Sequence, residues 1–214
     1  MKNKIDHLPN KIPIFPLSNF IIFPKTTVPL NIFEPRYIDM VDDAMKSNKI
    51  IGMVQPVKSN KNIPMLYNIG CAGKITSFNE TNDGRYLIVL TGISRFKIVE
   101  ELKNEKLYRE CSINFNDFNY DFEENREEIK FSDVEFIFKK FKSMFIKQGY
   151  IINWKKIEKQ SLDQTINTLA MASPFSLEEK QSLLETINLN DRKKKIEEIL
   201  STYTVDNYNN RTLQ

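Results

Sequence analysis

Few residues of this chain could supply a reacting group, and their spacing argues against catalysis. His7 is the single histidine among 214 residues, so a Ser-His-Asp arrangement or a histidine-based metal site lacks the base or the ligands that it needs. The pairs Glu100–Glu101 and Glu123–Glu124 could imitate catalytic carboxylates, but adjacent strand residues point to opposite faces. We therefore expect no catalytic, metal-binding or cofactor-binding residue.

Nucleotide-binding loops are also missing from the sequence. A phosphate-binding loop needs the pattern G-x-x-x-x-G-K-[ST], in which the glycines let backbone N–H groups surround the phosphates. The nearest match, Gly70-x-x-Gly73-Lys74, is too short and is followed by Ile75. The sequence therefore predicts no nucleotide cofactor.

The bulk composition is that of a soluble globular protein with one or two domains. Hydrophobic residues make up 41% and charged residues 28% of the chain, and the formal net charge is +3. The densest basic run, Arg192 to Lys195, is followed at once by Glu197 and Glu198. Helical neighbours of opposite sign offset each other, so we interpret the run as a solvated helix face. This pattern disfavours nucleic acid as a partner.

Cysteine usage and the N-terminus indicate a cytoplasmic protein. Cys71 and Cys111 form no C-x-x-C motif and are expected to be reduced, packed thiols, although a mutual bridge is open if their strands are neighbours. Residues 1–11 are too polar for the apolar segment of a signal peptide and are predicted to be a mobile leader. No run reaches the roughly 20 apolar residues that span a membrane, so we expect no membrane partner.

The first half of the chain, residues 12–116, has the pattern of short strands bounded by turn residues. Asn82-Asp83-Gly84 predicts a tight hairpin because its glycine tolerates a positive φ, and Gly92 is predicted to turn the next strand pair. One early helix is expected to begin near Pro35, since proline suits the first helical turn. Closely spaced strands with one helix favour a small barrel.

The second half has helical periodicity. Residues 117–131 are predicted to be an acidic linker, residues 132–204 a helical bundle and residues 205–214 a frayed tail. Capping boxes, in which a serine and a residue three positions on satisfy backbone donors, are expected at Ser132, Ser161 and Ser176. Asn190 is predicted to cap the last helix.

Several motifs in one order resemble a known family. They are Asn31-Ile32-Phe33-Glu34-Pro35-Arg36-Tyr37, Gly70-Cys71-Ala72-Gly73-Lys74-Ile75, Gly92-Ile93-Ser94-Arg95-Phe96 and Pro174-Phe175-Ser176. Together they resemble the substrate-binding N-terminal domain of the Lon protease family, and the likeness covers roughly residues 10–200. The resemblance implies an α+β fold: a PUA-like β pseudo-barrel with one early helix, followed by a C-terminal helical bundle.

The resemblance also implies a function. It predicts a non-catalytic module that binds unfolded or apolar polypeptide segments, by strand addition or in a groove between barrel and bundle, without ATPase or peptidase domains. A separate protease is a candidate partner. RNA binding, as in other PUA-like barrels, is the alternative, and an unrecognised hydrolase is a third hypothesis. The sequence identifies neither the peptide-binding residues nor the oligomeric state.

Two roles are open for the residues of these motifs. We expect them to hold the barrel together, with a ligand-facing role as the alternative: Phe33, Pro35, Tyr37, Arg95 and Phe96. Three arginines are candidates for pairing with Glu34 or Asp39, because a guanidinium fork suits carboxylates: Arg36, Arg85 and Arg95. The apolar run at residues 20–23 predicts either an exposed patch for unfolded peptide or a segment buried under the helical half.

Overall fold

The computed structural model describes residues 7–58, 64–123, 131–157 and 159–209. The chain divides into two compact units, one ending at Glu124 and one beginning at Asn125. The first unit is built on a six-stranded sheet and the second contains only helices in its described part, so the predicted α+β fold is confirmed. Residues 1–6 of the predicted leader, 124–130 of the predicted linker and 210–214 of the predicted tail lie outside the described residues.

The sheet of the first unit closes on itself. Its strand order is β2-β5-β4-β3-β1-β6, and β5 also pairs with β6, which joins the last strand back to the second. The strands are β1 (Lys11–Pro16), β2 (Thr27–Ile32), β3 (Ile50–Val54), β4 (Ile69–Glu80), β5 (Tyr86–Leu102) and β6 (Arg109–Asn114). Five strands thus form a small barrel, and β2 is left as an edge strand beside the first half of β5.

The barrel encloses an apolar core. Nine buried residues, eight on its strands and one directly after β6, form one cluster: Ile12, Ile14, Ile50, Val54, Ala72, Phe96, Cys111, Ile113 and Phe115. Leu8 packs against the same cluster, and the Ile113 N–H donates to the Asn10 carbonyl at 2.8 Å. The prediction of a mobile leader is therefore wrong for residues 8–11, because these contacts attach them to the barrel.

A buried ion pair attaches the segment after β6 to the barrel. A 3-10 helix (Asn116–Phe122) follows β6, and its Asp121 accepts from the Arg95 backbone N–H at 2.9 Å, from Arg95 Nε at 3.0 Å and from Arg95 Nη2 at 2.9 Å. The Arg95 guanidinium also lies 4.4 Å from the Phe118 ring centre. Residues 117–122, predicted as linker, therefore belong to the first unit.

Gly92 lies within β5 and does not end a strand, so the turn predicted there is wrong. A Cβ at this position would lie 2.1 Å from the carbonyl oxygen of Phe23. Two hydrogen bonds hold the crossing segment in place: Gly92 N–H to Thr26 O and Lys25 N–H to Gly92 O, both 2.9 Å. Glycine is required here because another backbone passes through the space of a side chain. The other hairpin prediction is confirmed, since Gly84 has a φ of +77° at the β4–β5 turn.

The early helix α1 (Pro35–Met45) begins with proline in its first turn, as predicted. Its buried residues repeat at helical spacing: Tyr37, Met40, Val41 and Ala44. Two aspartates join it to the sheet, since Tyr86 Oη donates to Asp42 at 3.0 Å and Tyr108 Oη donates to Asp43 at 2.6 Å. Lys106 Nζ lies 3.1 Å from the same Asp43 carboxylate.

This attachment predicts a pH dependence of stability. The hydrogen bonds from Tyr108 and then Lys106 lower the pKa of Asp43 from its ordinary 3.8. Because that pKa is lower in the folded state, the ionised carboxylate stabilises the fold above about pH 4, and this contribution is lost as the pH falls through the lowered value. Asp43→Asn is therefore expected to reduce the free energy of unfolding near neutral pH, with a difference from wild type that vanishes in acid. Urea unfolding across the acid range measures it.

Asp39→Asn is the matched control, because Asp39 is exposed on the same helix. It is expected to leave the free energy of unfolding within about 0.5 kcal/mol of wild type. If the free energy of unfolding of Asp43→Asn stayed below that of wild type by the same amount from neutral to strongly acidic pH, the pH dependence could not be assigned to the Asp43 carboxylate.

The second unit contains five helices in its described part. They are α2 (Phe131–Lys147), α3 (Trp154–Ile157), α4 (Leu162–Ala172), α5 (Leu177–Glu185) and α6 (Leu189–Asn209). An aromatic cluster lies in its core, where Phe141 has ring-centre distances of 5.9 Å to both Phe145 and Phe175. Within the described residues, no helix combines the length and apolar character needed to cross a membrane.

The helix starts follow the sequence only in part. The Ser176 capping box is formed, with reciprocal bonds to Glu179. Ser161 caps no backbone donor, because its hydroxyl donates to Asp163 instead. The last helix is capped by Asn188, whose Oδ1 accepts from the Asp191 N–H at 2.9 Å, and not by Asn190. The side chain of Ser132 lies outside the described residues.

The two ends of α6 correct two further expectations. The helix continues to Asn209, so the first five residues of the predicted frayed tail are helical. Arg192, predicted on a solvated face, is only 4% exposed. It donates to Asn167 Oδ1 at 2.8 Å and to the Leu183 carbonyl at 3.3 Å, which ties α6 to α4 and α5.

Candidate functional site: an apolar groove on the barrel

An open groove of about 410 Å³ lies on the first unit. One wall comes from the segment before β4 and the other from the second half of β5, with Cys111 of β6 at the base. The lining residues are Pro64, Met65, Leu66, Asn68, Ile98, Val99, Glu100, Glu101, Arg109 and Cys111.

A β-bulge exposes the apolar residue of the β5 wall. In the β5–β6 pairing, Ile98 faces Ile113 and Glu100 faces Ser112, so Val99 is one residue in excess. An extra residue is left outside the ladder and bends the strand. The Val99 side chain is accordingly 61% exposed and forms one rim of the groove.

The opposite wall is held by backbone hydrogen bonds. The Ile98 N–H donates to the Asn68 carbonyl at 2.7 Å, and Leu66 forms an isolated bridge with Pro56. Arg109 Nη1 donates to the Pro64 carbonyl at 2.9 Å. These bonds fix the wall, and Met65 projects from it with 61% of its surface exposed.

Two opposite charges of the lining, Arg109 and Glu101, pair with each other, and Glu100 adds a further carboxylate to the lining. Arg109 Nε donates to Glu101 Oε1 at 2.6 Å, so this guanidinium holds both walls together. Burial first, and then the charge of Glu101, raises the pKa of the Cys111 thiol to about 11. The thiol is therefore protonated at neutral pH and is a poor nucleophile, because the thiolate is the reactive form.

The groove combines apolar and charged side chains. Met65 and Val99 are exposed, the Cys111 thiol lies at the base, and Glu100 and the Arg109–Glu101 pair belong to the lining. Among the described residues, no group of three or more His, Cys, Asp or Glu side chains is placed to hold a metal ion.

The motif residues that were expected to hold the barrel together differ in their exposure. Tyr37, Arg95 and Phe96 are buried, with Arg95 and Phe96 at 0% exposure, which agrees with the predicted role of holding the barrel. Phe33 is 63% exposed, so that prediction is wrong for Phe33. It follows the edge strand β2 and immediately precedes α1, where no neighbouring element covers it. Pro35 is also exposed and acts through the start of the helix.

One of the three predicted arginine pairs is formed. Arg36 Nη2 lies 2.7 Å from Glu34 Oε2. Arg85 pairs with Asp83 at 3.0 Å in the same hairpin, and Arg95 pairs with Asp121. The partners of the last two were wrongly predicted because the turn brings Asp83 next to Arg85 and the 3-10 helix carries Asp121 into the barrel.

Of the remaining residues singled out in the sequence, Cys111 and the pair Glu100–Glu101 line the groove. His7 is exposed. Within residues 20–23, Ile21, Ile22 and Phe23 are at most 1% exposed, so the prediction of an exposed patch is wrong. Cys71 and Cys111 are both buried, and neither forms a disulfide.

No sequence signal marks the groove itself. Met65 lies between Pro64 and Leu66, and Val99 follows Ile98, so neither residue is distinguished from a core residue by its neighbours in the chain. Their common location depends on a bulge and on the return of a loop to β5. No glycine lies near residue 99, and the one local hint of the bulge is that Ile98-Val99 followed by Glu100-Glu101 breaks the alternation of a regular strand.

Two solved structures share this fold. A Lon N-terminal domain protein from Xanthomonas campestris superimposes with a TM-score of 0.62 at 19% identity, covering 89% of this chain and 97% of that chain. The N-terminal domain of the Mycobacterium avium complex Lon protease gives a TM-score of 0.61 at 16% identity, covering 89% and 98%.

The family model decides the assignment. The model of the ATP-dependent protease La (LON) substrate-binding domain matches residues 11–202. The chain belongs to the Lon substrate-binding domain family. The resemblance seen in the sequence is thereby confirmed for this Lon-domain chain, and bacterial Lon proteases are its relatives.

The relatives are much longer than the Lon domain that they share with this chain. The Lon protease of Flavobacterium johnsoniae is 29% identical over 199 residues, which cover 87% of this chain and 23% of that protease. The Lon protease of Syntrophus aciditrophicus is 26% identical, covering 91% and 25%. The chain thus spans about a quarter of each, and its similarity is to the substrate-binding domain and not to the catalytic domains.

Proposed function

We propose that this Lon-domain protein is a non-catalytic module that binds unfolded or apolar polypeptide segments in the groove between residues 64–68 and 98–101. The observation that carries the proposal is the match of residues 11–202 to a substrate-binding domain. Both relatives are named Lon proteases, so capture of a polypeptide is the activity that this part of the chain would share with them.

The groove is a better receptor than the exposed sheet edge. Its volume of about 410 Å³ lies within the roughly 300–1,000 Å³ of typical ligand sites. Strand addition would use the edge strand β2, but Pro29 interrupts that strand. Proline has no N–H to donate to an added strand, and it is a common device against edge pairing.

Modest affinity is expected because the exposed apolar contacts on the two walls of the groove are the side chains of Met65 and Val99. Fully burying a valine or a methionine contributes about 1.5–3 kcal/mol, and ordering the bound segment cancels part of that gain. Together with the apolar side chains that the bound segment itself buries, these two residues support binding no tighter than tens of micromolar, with weak sequence preference. These properties suit a module that captures many chains, in the cytoplasm and alongside a separate protease.

The experiment is a fluorescence-anisotropy titration of this protein into a labelled, reduced and iodoacetamide-treated model protein that stays unfolded. We expect saturable binding in the tens of micromolar, little changed by added salt because the contact is apolar. The same model protein in its native, disulfide-bonded form is the matched control and should not bind. Equal binding of both forms, or none of either, would contradict the proposal.

A further inference from the structure

The helical unit carries a stretch of chain without acidic residues. Residues 136–157 contain six lysines and no aspartate or glutamate. Since the whole chain has a formal charge of +3, this segment carries +6 and the remainder −3. The net positive charge of the protein is therefore concentrated on one part of the second unit.

The exposed side of α2 combines this charge with apolar side chains. Phe136 and Ile146 are 56% and 70% exposed, and Lys139, Lys140 and Lys147 lie between them in sequence or next to them. With 3.6 residues per turn, these five positions fall within about 120° of one helix face. Lys139 is paired with Glu135 at 2.8 Å.

The turn after α2 extends the same surface. Gly149 has a φ of +75° and ends the helix, and the Tyr150 N–H donates to the Phe145 carbonyl at 2.9 Å. This geometry leaves Tyr150 53% exposed and Ile151 fully exposed at 101%. We call the whole surface the basic apolar face: Phe136, Lys139, Lys140, Ile146, Lys147, Tyr150 and Ile151.

We propose that the basic apolar face binds acidic polypeptide segments that carry large apolar side chains. Charge complementarity selects the acidic residues, and the exposed isoleucines and phenylalanine give apolar contact in the same footprint. This inference rests on the proposed function and deepens it, because it names a class of polypeptide and a second surface for it. The groove on the barrel holds apolar chain regardless of charge.

Two contacts favour a polypeptide over nucleic acid. Lys140 Nζ lies 4.5 Å from the Phe136 ring centre and Lys142 Nζ lies 5.3 Å from the Trp154 ring centre. Lysines thus already cover one face of Phe136 and one of the nearby Trp154, which leaves Tyr150 as the one ring of the basic apolar face on which an unpaired base could stack. None of the six cations of the segment is arginine, the side chain that pairs with phosphate in a bidentate manner.

The mixing of charge and apolar surface also disfavours a lipid bilayer. An interfacial helix places its apolar residues on one face and its cations on the other. Here Lys140 and Lys147 share the arc of Phe136 and Ile146, so inserting the apolar side chains would carry lysines into the bilayer. A polypeptide that alternates acidic and apolar side chains meets both requirements at once.

The test compares two labelled peptides that alternate leucine and phenylalanine with glutamate in one and glutamine in the other. Each is titrated against the full chain by fluorescence anisotropy at low salt. We expect the glutamate peptide to bind at least about tenfold more tightly, because close charge pairs dominate such couplings. The double variant Lys140→Glu/Lys147→Glu should abolish that preference.

The double variant Lys74→Glu/Lys103→Glu is the matched control, since both lysines are exposed on the first unit and the charge change is identical. It should keep the preference. Equal affinity for the two peptides, an equal loss in the control, or tighter binding to a single-stranded RNA or to phosphatidylserine vesicles than to the glutamate peptide would overturn the inference. The unfolded model protein of the first titration separates failure of this inference from failure of the proposed function. If that protein still binds while the two peptides bind equally, the proposed function holds and this inference fails.

Discussion

Replacing Asp121 with asparagine is expected to lower the free energy of unfolding of the barrel unit by about 3–5 kcal/mol, the usual cost of breaking a buried ion pair on one side. The Arg95 side chain is 0% exposed and that of Asp121 5%, so the guanidinium would remain charged and buried without its carboxylate. Arginine does not lose its proton at accessible pH. Native-state hydrogen exchange of peptides from β5 and β6 measures the loss.

Asp117→Asn supplies the control within the same 3-10 helix. Asp117 lies 3.7 Å from Lys97 in an ion pair with side chains 57% and 50% exposed, and such surface pairs contribute about 0–1 kcal/mol. Trp154 is the only tryptophan and lies in the second unit, so its fluorescence follows that unit separately. An Asp121→Asn loss no larger than that of Asp117→Asn would show that the pair does not hold the barrel.

Gly92→Ala is expected to destabilise the barrel unit by about 3 kcal/mol or more, at or above the upper end of overpacking costs. The new Cβ would lie 2.1 Å from the Phe23 carbonyl oxygen and 2.8 Å from the Phe23 carbonyl carbon. Both atoms are backbone, so no rotamer change can relieve the contact. Urea unfolding followed by far-UV circular dichroism measures the shift.

Gly84→Ala separates this clash from the cost of losing glycine flexibility. Gly84 has a φ of +77° and no heavy atom within 4 Å of an added Cβ. The left-handed conformation alone costs an alanine about 1–2 kcal/mol. If Gly92→Ala were no worse than Gly84→Ala, the close passage of residues 23–26 across β5 would be wrong.

The parts of the fold that the sequence predicted are those fixed by neighbours in the chain. The start of α1 follows from Pro35 and its apolar spacing, the β4–β5 turn follows from Gly84, and the Ser176 capping box follows from Glu179 three residues later. In each case the residues that interact lie within one or two turns of the chain. Local rules therefore suffice.

The errors arise where a distant segment decides. Arg95 and Asp121 are 26 residues apart, so the carboxylate of the pair could not be chosen from the sequence. Gly92 carries the same local signal as a turn glycine, although a crossing backbone is what excludes a side chain there. Phe33 resembles a core residue but lies beyond the last pair of an edge strand.

The groove was missed for the same reason. Val99 is exposed because β5 gains one residue against β6, and a register shift has no unique sequence signature. The basic apolar face was easier to recognise from the sequence than the groove, because the segment without acidic residues can be read there directly. The sequence does not tell which apolar residues of that segment are exposed. In the structure Phe136, Ile146 and Ile151 are exposed, whereas Phe141 and Phe145 form the core.

The most direct test of polypeptide capture by the barrel groove is the titration of the unfolded model protein against Val99→Asp. Val99 is a bulged, exposed side chain, so its replacement should leave the fold intact, as circular dichroism will check. An aspartate on the rim would have to be desolvated by an apolar segment, and we expect affinity to fall at least about tenfold, equal to 1.4 kcal/mol. Leu107→Asp, 68% exposed and outside the groove lining, should bind as wild type. Unchanged affinity of Val99→Asp, or an equal loss for Leu107→Asp, would contradict the account.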